Sequence, residues 1–204
     1  MTSSGNLENG RGSLTAFAAA RNSDIAFPAY RFIPGQNPHP TADPRGHSFR
    51  AADAPSPPVT WVSPQEWADS DEYLYGCDLY NHAYWWEAHE AWEGLWQLSD
   101  KGEVQGRFLQ GLIQASACHL KRFVGHTKGV ERLRRTSLGY LRRVVDDMAG
   151  ETYMGLDLVA FVKRFEAYYR AWELPMEGCH DHDPRAYPYL QLNVEQEDVS
   201  GWEE

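Results

Sequence analysis

The sequence predicts an all-α fold: a bundle of about five antiparallel helices, preceded by a Pro-rich extended arm and followed by an irregular acidic C-terminal tail. Three observations lead there. Between residues 63 and 174, apolar residues recur at three-to-four spacing in five successive windows. The links between the windows are short, which makes sequential helices antiparallel neighbours. No alternating strand pattern of useful length and no internal repeat breaks the series.

Residues 1–24 are rich in Gly, Ser and Asn and are expected to be disordered. Residues 25–62 carry eight prolines, which forbid a long helix. Ile25, Phe27, Tyr30, Phe32 and Ile33 are nevertheless too apolar for a plain linker, so this stretch reads as an extended arm packed on the surface of the domain.

The helical domain is expected over 63–174. Ser63-Pro64-Gln65-Glu66 has the form of a capping box with Pro at the first helical position, opening a helix to about Tyr80 with Trp67, Tyr73, Leu74 and Cys77 inward. Asn81-His82-Ala83 reads as a tight connection to a second helix, Tyr84 to Leu98. Ser99 to Gly102 is a turn. The third helix spans about Val104 to Val124, with Gly125 as its C′ residue. Thr127 is placed to cap a fourth, reaching about Met148, and Asp157 to cap a fifth, Leu158 to Trp172. In the tail, 175–204, Tyr187 to Leu192 has the composition of a short extended segment.

Composition narrows the function classes. The chain has 204 residues, 42% hydrophobic and 13% aromatic, ample for a globular core. Its net charge of −10 disfavours nonspecific nucleic-acid binding. The charge is uneven: Lys121 to Arg143 holds eight Lys or Arg against Glu131 alone, and Glu173 to Glu204 holds nine Asp or Glu against Arg185 alone. A solvated face, or pairing between the two, is the expectation for the basic stripe. Three dispersed cysteines make neither a disulfide framework nor a zinc ribbon and suit a cytoplasmic location. Leu14 to Ala20 is too short for a signal peptide, and no membrane span is expected. There is no Gly-rich phosphate loop and no nucleophile elbow.

The chemistry concentrates in Glu87-Ala88-His89-Glu90-Ala91-Trp92-Glu93-Gly94-Leu95-Trp96. His89 and Glu93 stand four apart and so share a helix face, with Trp96 one turn further on. An imidazole and a carboxylate so placed can reach one ion, and Zn²⁺, Mn²⁺ and Fe²⁺ all accept N and O ligands. The pattern is close to the zincin His-Glu-x-x-His, with Glu93 in place of the second histidine. In such a site Glu90 or Glu87 would serve as general base. His119 on the third helix is the leading third ligand or proton relay, with His39, His47, His180 and His182 as further options. Gln110 and Gln114 are expected to hydrogen-bond Glu87 or Glu90 across the helix pair, or to line a small polar pocket. On this reading His89 and Glu93 point inward, with His119, Gln110 and Gln114 as the opposing wall.

Two functions fit these residues. One is a metal site, extending to a metal-dependent hydrolase. The other is a non-catalytic structural or interaction module whose His-Glu network only fixes helix packing. The aromatic set Tyr84, Trp85, Trp86, Trp92 and Trp96 surrounds the second helix too fully to face one core, so part of it must meet the arm, another helix or a second copy in a homodimer.

Tyr80-Asn81, Trp85 to Glu90, Trp92-Glu93 and Leu95-Trp96, followed by Phe108 to Ala115, resemble the two signatures of the domain of unknown function 309 family. The resemblance spans about Tyr73 to Trp172. It implies an all-α fold and no assigned activity, with His89, Glu93 and Trp96 matching a pattern suggested to bind metal. Ala83 stands where the family often has Gly, and His126 where it often has Asn.

Overall fold

The computed structural model describes residues 21–51, 54, 58–172 and 188–193. Five α-helices dominate: α1 Asp71–Asn81, α2 Trp85–Leu98, α3 Val104–Phe123, α4 Thr127–Asp147 and α5 Leu158–Trp172. The all-α expectation holds, and the boundaries of α2 to α5 fall within a residue or two of the sequence reading.

The first helix differs from expectation. Pro64–Asp69 is a 3₁₀ stretch, and α1 starts afresh at Asp71. Ser70 breaks the run because its hydroxyl accepts from Tyr73 N at 3.3 Å, which makes it an N-cap. The Ser63–Glu66 box closes side chain to side chain, Ser63 Oγ donating to Glu66 Oε2 at 2.7 Å, instead of reaching the backbone. At α4 the cap is His126, not Thr127: its Nδ1 accepts from Gly129 N at 3.0 Å. Asp157 caps α5 as expected, accepting from Ala160 N at 2.9 Å.

Two helix ends share one stop. After α1, Ala83 N donates to Tyr80 O and Tyr84 N to Leu79 O. After α3, Gly125 N donates to Arg122 O and His126 N to Lys121 O. Both are Schellman closures with a left-handed residue at C′, φ +64° at Ala83 and +74° at Gly125. Glycine takes that conformation freely, whereas alanine is strained there.

Successive helices pack on one another. Gly76 of α1 leaves room for the Trp92 indole, whose Nε1 would otherwise lie 2.2 Å from a Cβ. In α3 and α4 the pairs Arg107–Asp147, Gly111–Ser137 and Cys118–Val130 run in opposite order along the two helices, which makes them antiparallel. α5 returns over the core with Phe161, Phe165 and Tyr169 fully buried. A small hairpin that the sequence reading missed, Thr152–Tyr153 with Leu156–Asp157, precedes α5. Its two-residue turn, Met154 (φ +46°) and Gly155 (φ +73°), matches the strand twist. Two residues per strand are too few for an alternation signal.

The arm packs on the bundle as expected. Phe27 stacks on Tyr84 and lies against His82, and Phe32 and Ile33 are buried. Residues 21–24, expected to be disordered, are instead tied down. Asn22 N, Asn22 Nδ2 and Ser23 N all donate to the Asp78 carboxylate within 3.1 Å. The rest of 1–24, and the tail apart from 188–193, lie outside the described residues. There Leu192 bridges Leu156, as the extended-segment reading anticipated.

Candidate functional site

The core face of α2 runs through Trp85, Ala88, Trp92 and Leu95, all buried. Each of His89 and Glu93 follows one of these residues by one position, so each lies about 100° around the helix from it. This corrects the inward reading: the His89, Glu90 and Glu93 side chains are 31%, 42% and 38% exposed. The expectation came from treating the whole stretch as core-facing. Only one flank is covered, and these residues occupy the other.

On that open flank the three side chains converge. His89 Nδ1 lies 3.2 Å from Glu90 Oε1 and 3.7 Å from Glu93 Oε2, and one ligand atom from each residue falls within 4.8 Å of the other two. Trp96, one turn after Glu93, is half-buried, and the Lys101 ammonium sits 4.6 Å over its ring.

Glu87 precedes Ala88 and points the opposite way, under the arm. It is buried, its Oε1 accepting from Phe32 N at 2.8 Å and from His47 Nε2 at 3.0 Å. Burial lowers the pKa of the neighbouring Arg31 guanidinium, and the charge of Glu87 partly offsets this. Tyr84 is pushed up by burial and further by Glu87. The buried His–Glu network read from the sequence therefore exists, but its members are His47 and Glu87. No spacing rule could have paired residues 40 positions apart.

His119 is fully buried and reaches neither carboxylate group. Its Nε2 lies 2.8 Å from Tyr80 Oη and its Nδ1 2.8 Å from Tyr169 Oη, with the ring stacked between Trp85 and Tyr169. One hydrogen-bond assignment fits these three contacts. Tyr80 gives its proton to Pro188 O at 3.1 Å, so its oxygen accepts from His119 Nε2–H, and Nδ1 accepts from Tyr169. Both ring nitrogens are thus committed. Tyr80 and Tyr169, which the sequence reading did not include in the site, are their partners.

Gln114 sits on the α4 side of α3 rather than the α2 side. It lies on the side of α3 marked by Gly111 and Cys118, which contact α4, whereas Ser116 on the other side bonds Trp85 O. Gln110 is half-buried beside it. No hydrogen bond joins either glutamine to Glu87 or Glu90 among the described residues, so the opposing wall does not form. Of the further histidines, His39 packs between Phe32 and Trp86, and His180 and His182 lie outside the described residues.

A cavity of about 360 Å³ opens elsewhere, between Trp61, Leu98, Val104 and Tyr153. It contains none of the trio.

Residues 73–133 match the family model of a domain of unknown function, DUF309. The match supports the resemblance read from the sequence over a shorter span, from α1 into the first turns of α4. The DUF309 segment holds the trio, Trp96, Gln110, Gln114 and His119. The arm that covers Glu87, and Tyr169 that binds His119, lie outside it. No curated protein and no solved structure matches the chain. Among the described residues, no helix is long and apolar enough to cross a membrane.

Proposed function

We propose that this chain binds a divalent cation on the open flank of α2 through His89, Glu90 and Glu93. The observation that carries the reading is the 4.8 Å convergence of one nitrogen and two oxygen ligand atoms. Ligands bound about 2.1 Å from one ion lie roughly 3–4 Å apart, so small side-chain rotations close the set. An imidazole with two carboxylates suits Zn²⁺, Mn²⁺ or Fe²⁺. Exposure lets the ion enter and keep water in its remaining positions.

The site favours binding over hydrolysis. The residues that a hydrolytic mechanism needs behind the ion are engaged elsewhere: Glu87 holds the arm and His119 is closed between two phenols. Glu90 stands in the ligand set and not behind it.

Isothermal titration of the tag-free, metal-stripped chain with Zn²⁺, Mn²⁺ and Fe²⁺ tests this. One-to-one saturable binding is expected with at least one of them, weakened tenfold or more by His89→Ala. Absence of saturable binding, or affinity unchanged in His89→Ala, rejects the site.

A further inference from the structure

Residues 188–193 cross α1, the hairpin and α5 as an extended segment, separated from α5 by residues 173–187. The bundle holds this segment by its main chain. Asn81, at the end of α1, grips Leu190 from both sides: Nδ2 donates to Leu190 O at 2.8 Å, and Leu190 N donates to Oδ1 at 2.7 Å. Tyr80 Oη donates to Pro188 O at 3.1 Å, and Arg164 donates to Tyr189 O at 3.2 Å. At the far end Asn193 N donates to Gly155 O at 2.7 Å, and Leu192 pairs antiparallel with Leu156. Pro188 and Leu190 are buried while Gln191 faces solvent.

We infer that this groove is a peptide-recognition site, filled in cis by residues 188–193. Its ligand class is an extended segment with Pro, Leu and Leu at alternate positions. Main-chain bonds would give affinity, and the alternate side chains would give selectivity, as in strand addition to an exposed edge. Among the described residues, these contacts are made by residues 188–193 themselves, so a separate peptide of that sequence presents the same groups. The inference gives Tyr80-Asn81 a clamp role. It also gives His119 a positioning one, since its Nε2–H leaves the Tyr80 proton free for Pro188. It stands independently of the cation site.

The test uses the full-length chain carrying Leu190→Asp, which puts a charge into the buried seat and releases the tethered segment. A fluorescein-labelled synthetic peptide of residues 186–194 is titrated into it and followed by anisotropy. Saturable binding is expected, about tenfold or more tighter than to the unaltered chain, where the tethered segment competes at an effective concentration on the order of millimolar. Adding Asn81→Ala should cost tenfold or more in affinity, and a peptide with the same Leu190→Asp change should not bind. Far-UV circular dichroism checks each variant, and Leu190→Ala replaces Leu190→Asp if the latter loses helix. No binding, equal affinity for released and unaltered chains, or indifference to Asn81→Ala overturns the proposal.

Discussion

Ala83 and Gly125 occupy the same position in two equivalent helix stops, yet only one is a glycine. The left-handed conformation costs an L-residue roughly 1–2 kcal/mol, and glycine loses part of that benefit through its greater freedom when unfolded. Ala83→Gly should therefore stabilise the chain by about 0.5–1 kcal/mol in urea denaturation, and Gly125→Ala should destabilise it by a similar amount. An unchanged midpoint for both would mean that the C′ strain is relieved elsewhere. Single-residue features of this kind were partly legible in the sequence. Gly125 announced itself as a helix stop, whereas Ala83 showed only as a position in a tight connection where the resembled family often has Gly. The orientation of His89 and Glu93 was misread for a related reason. The aromatic excess around α2 pointed to cover by the arm, and Phe27, Phe32 and His39 supply it over Tyr84 and Trp86, but nothing local in the sequence says which flank they take and which they leave open.

The arm is an element without regular structure, and two buried carboxylates fasten it. Asp78 takes Asn22 and Ser23, and Glu87 takes Phe32 and His47. Removing Glu87 leaves the Phe32 N–H and the His47 ring without their acceptor in a buried place, so Glu87→Ala should cost about 2–4 kcal/mol. Limited proteolysis should then cut within residues 34–60 sooner than in the unaltered chain. Glu93→Ala, on the exposed flank, should change stability by less than about 0.5 kcal/mol. Equal losses in the two variants would show that the open flank is part of the structural network after all. The contrast separates the two readings of the Glu87–Trp96 stretch, since the proposed cation site and the structural His47–Glu87 contact fall on opposite flanks of α2. The helices themselves were legible because each carries its own apolar period. The 3₁₀ break at Ser70, the hairpin and the anchoring of the arm on Asp78 and Glu87 were not, because each depends on a contact or turn too short or too distant to repeat.

At the scale of the molecule, the core is not closed by the DUF309 segment alone. Phe161, Phe165 and Tyr169 of α5, with Leu190 of the C-terminal segment, complete it. Many groups in that shared core are weak acids held neutral. Burial raises Tyr73 and Tyr169 well above the ordinary phenol value, lifts Cys118 and Tyr153 to about 12, and raises Cys77 strongly. Each binds its proton more tightly folded than unfolded, where thiols titrate near about 8.5 and phenols near about 10. The sign follows. Below the unfolded values both states are protonated and the stabilisation is complete. As pH rises past about 8.5–10 the unfolded chain loses protons that the folded chain keeps, so stability falls with rising pH. The melting temperature should therefore decline steadily from about pH 9 upward. Tyrosinate absorbance at 295 nm should show a cooperative step coinciding with loss of the helical signal, on top of a smooth titration from exposed phenols. A melting temperature flat to pH 11, with all tyrosines titrating smoothly in the folded chain, would mean that these groups reach water without unfolding.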